Sequence, residues 1–434
     1  MIEKIESYIK KKGIKEYEIF YESSEKTRMI LQRDNIDFLS KGYVDGIGIR
    51  VCIDKKLGFS STIDIKNYEK CVDEAIKISK LNNRDEKFMR FNDARIKSTN
   101  KIFYDKKLIT KDIAYMSKYF KDYIKIVKNT DKDIKLNSGG FEKSTRTRKI
   151  INSEGINLES KSCNNTFWSE LMKSKENTLG FGEREKTLLK PEKAKEHVKR
   201  LIECEKKNTP ETTNINLVLH PEALSELLGE IFLDAIDAES IQSKKSILQD
   251  KLNKKIFHKD ITIIDDSITK NLIFSREFDD EGVNSRKTSI VEKGVLKNFL
   301  YDTYHANIDN VKSTSSASRS YASIPSISTT NVLMKTGKKT EEKILNSADK
   351  LIYVKNLIGT HTADSTTGDF SLGVMEGHIY EKGEMKYAVK DTMIAGNFYK
   401  IMNDILEIGN KQIHTGGGTY LPIILTGKVK LIGK

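Results

Sequence analysis

Segments in which apolar and polar residues alternate place the strongest constraint on the fold of this chain. In the N-terminal part, RMILQRDNIDFLS (28–40) and DGIGIRVCIDKKLGFSST (45–62) alternate in this way, which predicts β-strands with one buried face. In the C-terminal part, SIVEKGVLKNFL (289–300) and HIYEKGEMKYAV (378–389) each turn at Glu-Lys-Gly, which predicts two β-hairpins. These patterns predict antiparallel sheets in both parts of the chain.

Glycine-containing turns divide the remaining strand-like sequence. We expect a hairpin turn at Asp54–Gly58 and strands within 132–182 around two turns, Ser138-Gly-Gly140 and Glu154-Gly155. A strand is predicted at 214–220, and PIILTGKVKLIG (422–433) is predicted to form a final strand pair. Gly416-Gly-Gly418 lacks the context of a phosphate-binding loop and is interpreted as a turn.

Apolar residues at helical spacing occur between these strands. The segments predicted to be helical are 1–20, 66–82, 108–128, 191–206 and 396–408. Because helices and strands are mixed without a regular βαβ repeat, the sequence predicts an α+β protein.

A polar segment, Lys207-Asn-Thr-Pro-Glu-Thr-Thr213, separates the charged helical segment 191–206 from the strand that follows. At 434 residues the chain exceeds the usual size of one domain. We therefore expect an N-terminal domain over 1–206, with helices and strands, and a β-rich C-terminal domain over 214–434.

Composition limits the kinds of function. The sequence has no apolar run of about 20 residues, which a membrane helix needs, and no apolar region of a signal peptide at its start, which predicts a cytoplasmic protein. The formal net charge is +13, but lysines are interspersed with Asp and Glu, which does not favour a nucleic-acid surface. The scattered cysteines (Cys52, Cys71, Cys163 and Cys204) are typical of core residues.

The segment after the strand at 214–220 carries two patterns on one helix. Its apolar residues fall on one side, while Glu222, Glu226, Glu230 and Asp234 recur every four residues on the other. A solvated acidic face is the simplest interpretation. Carboxylates at this spacing could also hold a cation or act as acid and base.

Four long segments resemble the TldD/PmbA family, in the same order over nearly the whole chain. FDDEGVNSRKTSIVEKGVLKNFLYDTYHA (278–306), TGDFSLGVMEGHIYEKGE (367–384) and IAGNFYKIMNDILEIGN (394–410) resemble its hallmark segments, and 45–62 resembles its N-terminal hairpin. The family contains cytoplasmic zinc metallopeptidases and partner subunits, once called modulators of DNA gyrase. The resemblance implies a two-domain architecture with a mixed α/β N-terminal domain and a β-rich C-terminal domain.

The resemblance also implies where zinc would be bound. In the active subunit, a helix after the first strand of the C-terminal domain carries His-Glu-x-x-x-His, and a cysteine near the C-terminus completes the site. In this sequence Ser225 and Glu230 stand at the two histidine positions, and Thr415 stands at the cysteine position. Only Glu226 keeps the family's residue type. This matches the PmbA/TldE-like branch, so we expect no metal in this chain and zinc in a TldD-like partner.

The resemblance suggests a peptide path along Lys312–Tyr321 and Thr360–Ser371. The candidate substrate-binding residues within these segments are Ser315, Ser316, His361, Thr362 and Asp369. An unfolded peptide would bind there as an added strand.

Three hypotheses for function follow. The first is a non-catalytic subunit of a zinc metallopeptidase complex that degrades or processes unfolded peptides, paired with a TldD-like chain or able to form a homodimer. The second is a self-sufficient hydrolase with an unorthodox metal site built from Glu226, Glu230 and His414. The third is a protein associated with DNA gyrase or nucleic acid, as the old family name suggests.

Overall fold

The computed structural model describes residues 1–93 and 103–434, which fold into an N-terminal sheet with helices and a C-terminal part built mainly of strands. The N-terminal elements are α1 (Ile2–Lys11), β1 (Glu16–Gln32), β2 (Asn35–Ile53), β3 (Lys56–Thr62), α2 (Tyr68–Leu81), α3 (Lys106–Ile109), α4 (Ile113–Thr130), β4 (Lys135–Asn152), β5 (Asn157–Ser174), β6 (Asn177–Glu185) and α5 (Ala194–Glu203).

The C-terminal part contains short helices and many strands. Its elements are β7 (Lys207–Asn208), β8 (Thr213–Leu219), α6 (Pro221–Leu227), α7 (Ala238–Gln242), β9 (Ile263–Asp266), β10 (Lys287–Glu292), β11 (Val295–Leu296), α8 (Thr303–Ile308), β12 (Ala317–Ser318), β13 (Ser326–Ile327), β14 (Val332–Met334), α9 (Glu341–Leu345), β15 (Lys350–Ile358), β16 (Asp369–Glu381), β17 (Glu384–Val389), β18 (Met393–Asn397), α10 (Phe398–Asn403), β19 (Ile405–Ile408), β20 (Ile413–His414), β21 (Thr419–Leu421) and β22 (Ile424–Ile432).

The N-terminal sheet is six-stranded and antiparallel, in the order β3-β2-β1-β4-β5-β6. One face is covered by helices: α4 and α5 pack on Phe141 and Phe167, while α1 and α2 pack on Ile47 and Ile49. Because side chains alternate along a strand, the polar residues between these apolar ones point to the opposite face. That opposite face is turned toward the C-terminal part.

The C-terminal part contains a six-stranded sheet, β11-β10-β9-β14-β21-β20, and an eight-stranded sheet, β15-β8-β22-β18-β16-β17-β7, whose eighth strand, β19, pairs with β22. Since β15 also pairs with β16, the strands β15, β8, β22, β18 and β16 close into a ring. The largest apolar cluster fills this part, with Leu217, Phe232, Phe257 and Phe398 among its buried members. The α+β class predicted from sequence is confirmed.

The predicted hairpin turns are confirmed where the backbone needs a left-handed conformation. Lys293-Gly294 and Lys382-Gly383 have φ values of 49°, 80°, 50° and 79°, which join β10 to β11 and β16 to β17. The turn predicted at 54–58 occupies only Asp54 and Lys55, and Lys56 already starts β3.

The prediction of a turn at Ser138-Gly-Gly140 is wrong, because this segment lies inside β4. The two glycines make room for a neighbouring tryptophan on β5. A Cβ atom at Gly140 would lie 2.4 Å from Trp168 Nε1, and one at Gly139 would lie 2.9 Å from the Trp168 carbonyl oxygen. These glycines permit close strand packing rather than a change of direction.

Three other predicted elements differ from the structure. Helix 1–20 stops at Lys11, and Gly13 with a φ of 77° leads into β1. The helix predicted over 396–408 is only α10, flanked by β18 and β19, because Ile405 and Ile408 pair with β22. The predicted final strand pair is instead the single strand β22, with a bulge near Gly427.

The predicted polar linker 207–213 is partly ordered into strands. β7 pairs in parallel with β17, and Thr213 begins β8. Both strands belong to the eight-stranded sheet of the C-terminal part.

Candidate functional site

Helix α6 follows β8 and begins with a built-in cap. His220 is the N-cap residue, and its Nδ1 accepts a hydrogen bond of 3.3 Å from the Glu222 amide, while Pro221 occupies the first turn, where no amide donor is required. Burial lowers the pKa of His220 to about 4, so the ring is neutral and can accept this bond.

The helix continues after α6 as a π-helical turn over Leu228–Leu233. π-Helical hydrogen bonds join residues five apart and are frequent at functional sites. Glu230 lies in this turn, whereas Ser225 lies before it in α6. Their burial differs, since Ser225 is half-buried and Glu230 is exposed.

Three hydroxyl groups meet where this helix touches the loop between β20 and β21. Ser225 Oγ lies 2.6 Å from Thr419 Oγ1, and the Thr415 hydroxyl lies 3.3 Å from Ser225 Oγ and 2.5 Å from Thr419 Oγ1. The glycines at 416–418 turn the loop so that Thr415 faces Thr419. The Thr415 amide donates a hydrogen bond of 3.1 Å to the Thr419 carbonyl, which closes the loop. The structure therefore brings the predicted site positions Ser225 and Thr415 into contact. We call Ser225, Thr415 and Thr419 the hydroxyl cluster.

The hydroxyl cluster does not fit zinc. Proteins bind zinc through thiolate, imidazole and carboxylate groups, whereas these three side chains are neutral hydroxyls already bonded to one another. Within residues 1–93 and 103–434, no group of three or more His, Cys, Asp or Glu side chains is arranged to hold a metal ion. No catalytic step through a metal follows from this donor set.

Glu226 does not lie on a solvated face as predicted. Its side chain is half-buried, and its Oε2 is buried without a hydrogen-bond partner among the described residues. Burial raises its pKa to about 7, with smaller contributions from Glu222 and Glu230 and an opposing one from the Leu357 backbone. The solvated acidic face is thus confirmed only for Glu230 and Asp234, which are exposed.

Glu222, the first carboxylate of the predicted stripe, is held by Arg200 of α5. Arg200 donates to both Glu222 oxygens at 2.9 and 2.7 Å, and to both oxygens of the buried Glu376 on β16 at 3.1 and 2.6 Å. Burial alone would raise the pKa of Glu222, but the Arg200 hydrogen bonds lower it below its usual value. We call Arg200, Glu222 and Glu376 the Arg200 cluster, which ties α6 to the N-terminal helix α5.

His414 is not grouped with Glu226 and Glu230 as the unorthodox metal site would require. Its Nδ1 lies 3.3 Å from Glu185 Oε1, and its ring stacks on Tyr420 with ring centroids 4.5 Å apart. Among the described residues, these three side chains do not form a group that could hold a metal ion.

The predicted substrate-binding residues fall into two sets. His361, Thr362 and Asp369 are exposed at the loop between β15 and β16, where Asp369 accepts a hydrogen bond of 2.8 Å from Asn397. Ser315 and Ser316 are only 1% and 0% exposed. Ser315 donates to the Val283 carbonyl, so this pair stabilises the loop and offers no side chain to a peptide.

The sequence reasoning missed Thr419 and Arg200. Thr419 follows Thr415 by four residues across a glycine turn, and that turn was the only local signal that the two could meet. Arg200 lies in a segment of alternating charges, where nothing marks one arginine as buried. All four cysteines are buried and free, as predicted.

This chain is similar to known proteins over most of its length. Residues 212–433 match the family model "PmbA/TldA metallopeptidase C-terminal domain", and residues 17–79 match "PmbA/TldA metallopeptidase domain 1". Both parts of the fold therefore define a metallopeptidase-family chain. It belongs to the PmbA/TldD family.

Sequence relatives and solved structures match most of the chain or all of it. An uncharacterized protein of Methanocaldococcus jannaschii is 30% identical over 95% of both chains, and a metalloprotease of the same organism is 26% identical over 87% of this chain and 86% of its own. The crystal structure of TldE from Thermococcus kodakarensis has a TM-score of 0.92 at 23% identity over 100% of both chains. A putative modulator of a DNA gyrase from Thermotoga maritima has a TM-score of 0.89 at 23% identity over 99% of both chains. These structures share the fold.

None of the helices in the described residues combines the length and apolar character that crossing a bilayer requires.

Proposed function

We propose that this chain is a non-catalytic, PmbA/TldE-like subunit of a zinc metallopeptidase complex that acts on unfolded peptides. The hydroxyl cluster carries the proposal. At the contact between helix and loop where the family resemblance implies imidazole and thiolate ligands, Ser225, Thr415 and Thr419 satisfy one another with short hydrogen bonds. A partner chain of the same family would carry the zinc.

The preserved scaffold supports a role beside such a partner. The Arg200 cluster holds α6 against α5 and β16, although the end of α6 carries neutral hydroxyls. The exposed loop around His361, Thr362 and Asp369 would bind a peptide main chain as an added strand.

Co-expression tests the proposal. A PmbA/TldD-family chain from the same genome that carries His-Glu-x-x-x-His should associate with this one and cleave flexible peptides while sparing folded proteins. Cleavage should vanish when the partner's zinc-binding histidines are replaced, and should survive Ser225→Ala and Thr415→Val here. Failure to associate at micromolar concentration, with this chain alone hydrolysing peptide, would overturn it.

The self-sufficient hydrolase is the second candidate because of Glu226. The pKa of the Glu226 carboxyl group is about 7, which suits this group to transfer protons at neutral pH. Glu226→Gln in the complex separates the candidates: unchanged cleavage supports the non-catalytic subunit, whereas a hundredfold loss in a folded variant supports the hydrolase.

A further inference from the structure

A cavity of about 600 Å³ lies between the helix-free face of the N-terminal sheet and loops of the C-terminal part. Its volume is within the range of small-molecule sites, about 300–1,000 Å³. The cationic side chains that line it are Lys26, Arg146, Arg148, Arg184, Arg276 and Arg319. Among the lining side chains, only Glu22 and Asp280 carry carboxylates.

Strand register builds the sheet wall of this cavity. Ser24 of β1 lies opposite Arg146 of β4, and Arg146 lies opposite Ser162 of β5. Glu22 lies opposite Arg148 on the same face, because alternate residues of a strand point the same way. The sequence signal is the alternation Thr145-Arg-Thr-Arg148, in which both arginines share one face.

Three of the arginines are neutralised by carboxylates. Arg146 donates to Glu22 at 2.9 Å, Arg148 binds Asp280, and Arg319 binds Glu18. The Arg148 and Arg319 pairs join the N-terminal sheet to the C-terminal loops, so the walls are fixed before any ligand arrives.

Arg184 and Arg276 differ from these three. Within the described residues neither forms an ion pair. The buried Nε of each has no hydrogen-bond partner there, a property that they share with Arg146 and Arg319. Arg184 stacks over the Phe274 ring at 5.0 Å, and Arg276 donates to the Ser315 carbonyl at 3.1 Å. Burial lowers the pKa of Arg184, against a smaller opposing contribution from Glu142, so its charge is partly desolvated.

We propose that this cavity binds a small multivalent oxyanion through Arg184 and Arg276. Guanidinium groups pair with phosphate and carboxylate through two parallel hydrogen bonds, and the wall hydroxyls of Ser24, Ser144 and Ser162 supply further donors. None of the three hydroxyl-cluster residues lines the cavity, although the loop that carries Thr415 passes close to Arg184 at Gly416, and the proposal does not depend on the peptidase assignment.

Calorimetric titration of the full chain tests the site, with inorganic pyrophosphate and citrate as probes at an ionic strength fixed with potassium chloride. One probe should bind saturably, and tighter binding of pyrophosphate or of citrate identifies the ligand group as phosphate or carboxylate. Arg184→Gln should weaken binding about tenfold or more, since it removes charged hydrogen bonds. Arg84→Gln, at an exposed arginine paired with Glu86, is the matched control and should bind like the wild type.

Circular dichroism and the thermal midpoint without ligand establish that each variant is folded. If Arg184→Gln does not fold, Arg184→Lys replaces it, because lysine keeps the charge but loses the planar fork. That variant should also bind more weakly. The proposal is overturned if neither probe binds saturably, or if the folded Arg184 variant binds as tightly as the wild type.

Discussion

Helix α6 carries two polar clusters three residues apart that are built on opposite physical principles. At Glu222 the Arg200 cluster uses full charges, with both carboxylates bonded twice by one guanidinium. At Ser225 the hydroxyl cluster uses neutral groups that bond to one another. The first joins different parts of the fold, and the second fills the end of the helix.

The difference separates what positions this helix from what gives it chemistry. A buried ion pair costs desolvation energy and is kept only with full hydrogen bonding, as in the Arg200 cluster. The hydroxyl cluster needs no ion to be complete. A chain can therefore keep the family scaffold while two of the positions implied for metal ligands, Ser225 and Thr415, carry hydroxyls.

The largest effect is expected when zinc ligands replace Ser225, Glu230 and Thr415. The triple variant Ser225→His, Glu230→His and Thr415→Cys supplies two imidazoles and a thiolate, so it should hold stoichiometric zinc, with a binding free energy on the order of 10 kcal/mol. Metal analysis after dialysis measures this. The double histidine variant that keeps Thr415 is the control and should bind zinc much more weakly. A triple variant that is folded but metal-free would show that the ligand geometry has been lost.

Breaking the charged cluster should be the next largest effect. Arg200→Met leaves Glu376 buried without its partner and should lower the free energy of unfolding by about 3 kcal/mol, as measured by urea denaturation. Lys199→Met, at the neighbouring side chain with 77% exposure, is the matched control and should change stability by no more than about 0.5 kcal/mol. Equal losses in both variants would mean that the cluster contributes nothing specific.

Glu226, next to Ser225 on α6, should make stability depend on pH. Its pKa is raised in the folded state from 4.5 to about 7, so the folded state binds the proton more tightly and stability falls as pH rises through this window. Glu226→Gln is neutral at every pH and should gain about 1 kcal/mol over wild type at a pH of about 8, after allowance for partial solvent screening, with no gain at a pH of about 4. Glu230→Gln, at the exposed position, should show no such gain. Parallel pH profiles for Glu226→Gln and wild type would contradict this.

An effect of similar size concerns the hydroxyl cluster itself. Ser225→Ala removes one member while Thr415 and Thr419 remain bonded, so it should cost about 1 kcal/mol of unfolding free energy. Ser243→Ala, which removes an exposed hydroxyl, should cost less. A double-mutant cycle with Thr415→Val measures whether the hydroxyls act as a unit, and strictly additive losses would show that they do not.

The sequence predicted those parts of the fold that local residues specify. Lys293-Gly294 and Lys382-Gly383 form turns because their backbone conformation favours glycine at the second position, and that requirement is visible in the sequence. Pro221 marked the start of α6 for the same kind of reason.

Distant contacts decided the predictions that were wrong. Gly139 and Gly140 accommodate Trp168, and Ile405 and Ile408 pair with β22 although their spacing suits a helix. Distant contacts also limited what could be predicted about the site. Resemblance identified the positions of Ser225 and Thr415, but the burial of Glu226 and of Ser315 depends on chain segments far away in sequence.

The closed ring of strands in the C-terminal part has a consequence for synthesis of the protein. β22 lies between β8 and β18, and Asn216 of β8 shares a hydrogen bond with Thr426, 210 residues further along the chain. During synthesis, β8 therefore lacks β22 as a neighbouring strand until the ribosome has made β22. Since such long-range pairings form slowly, the nascent C-terminal part passes through a long interval with an open strand edge, when it needs protection from aggregation.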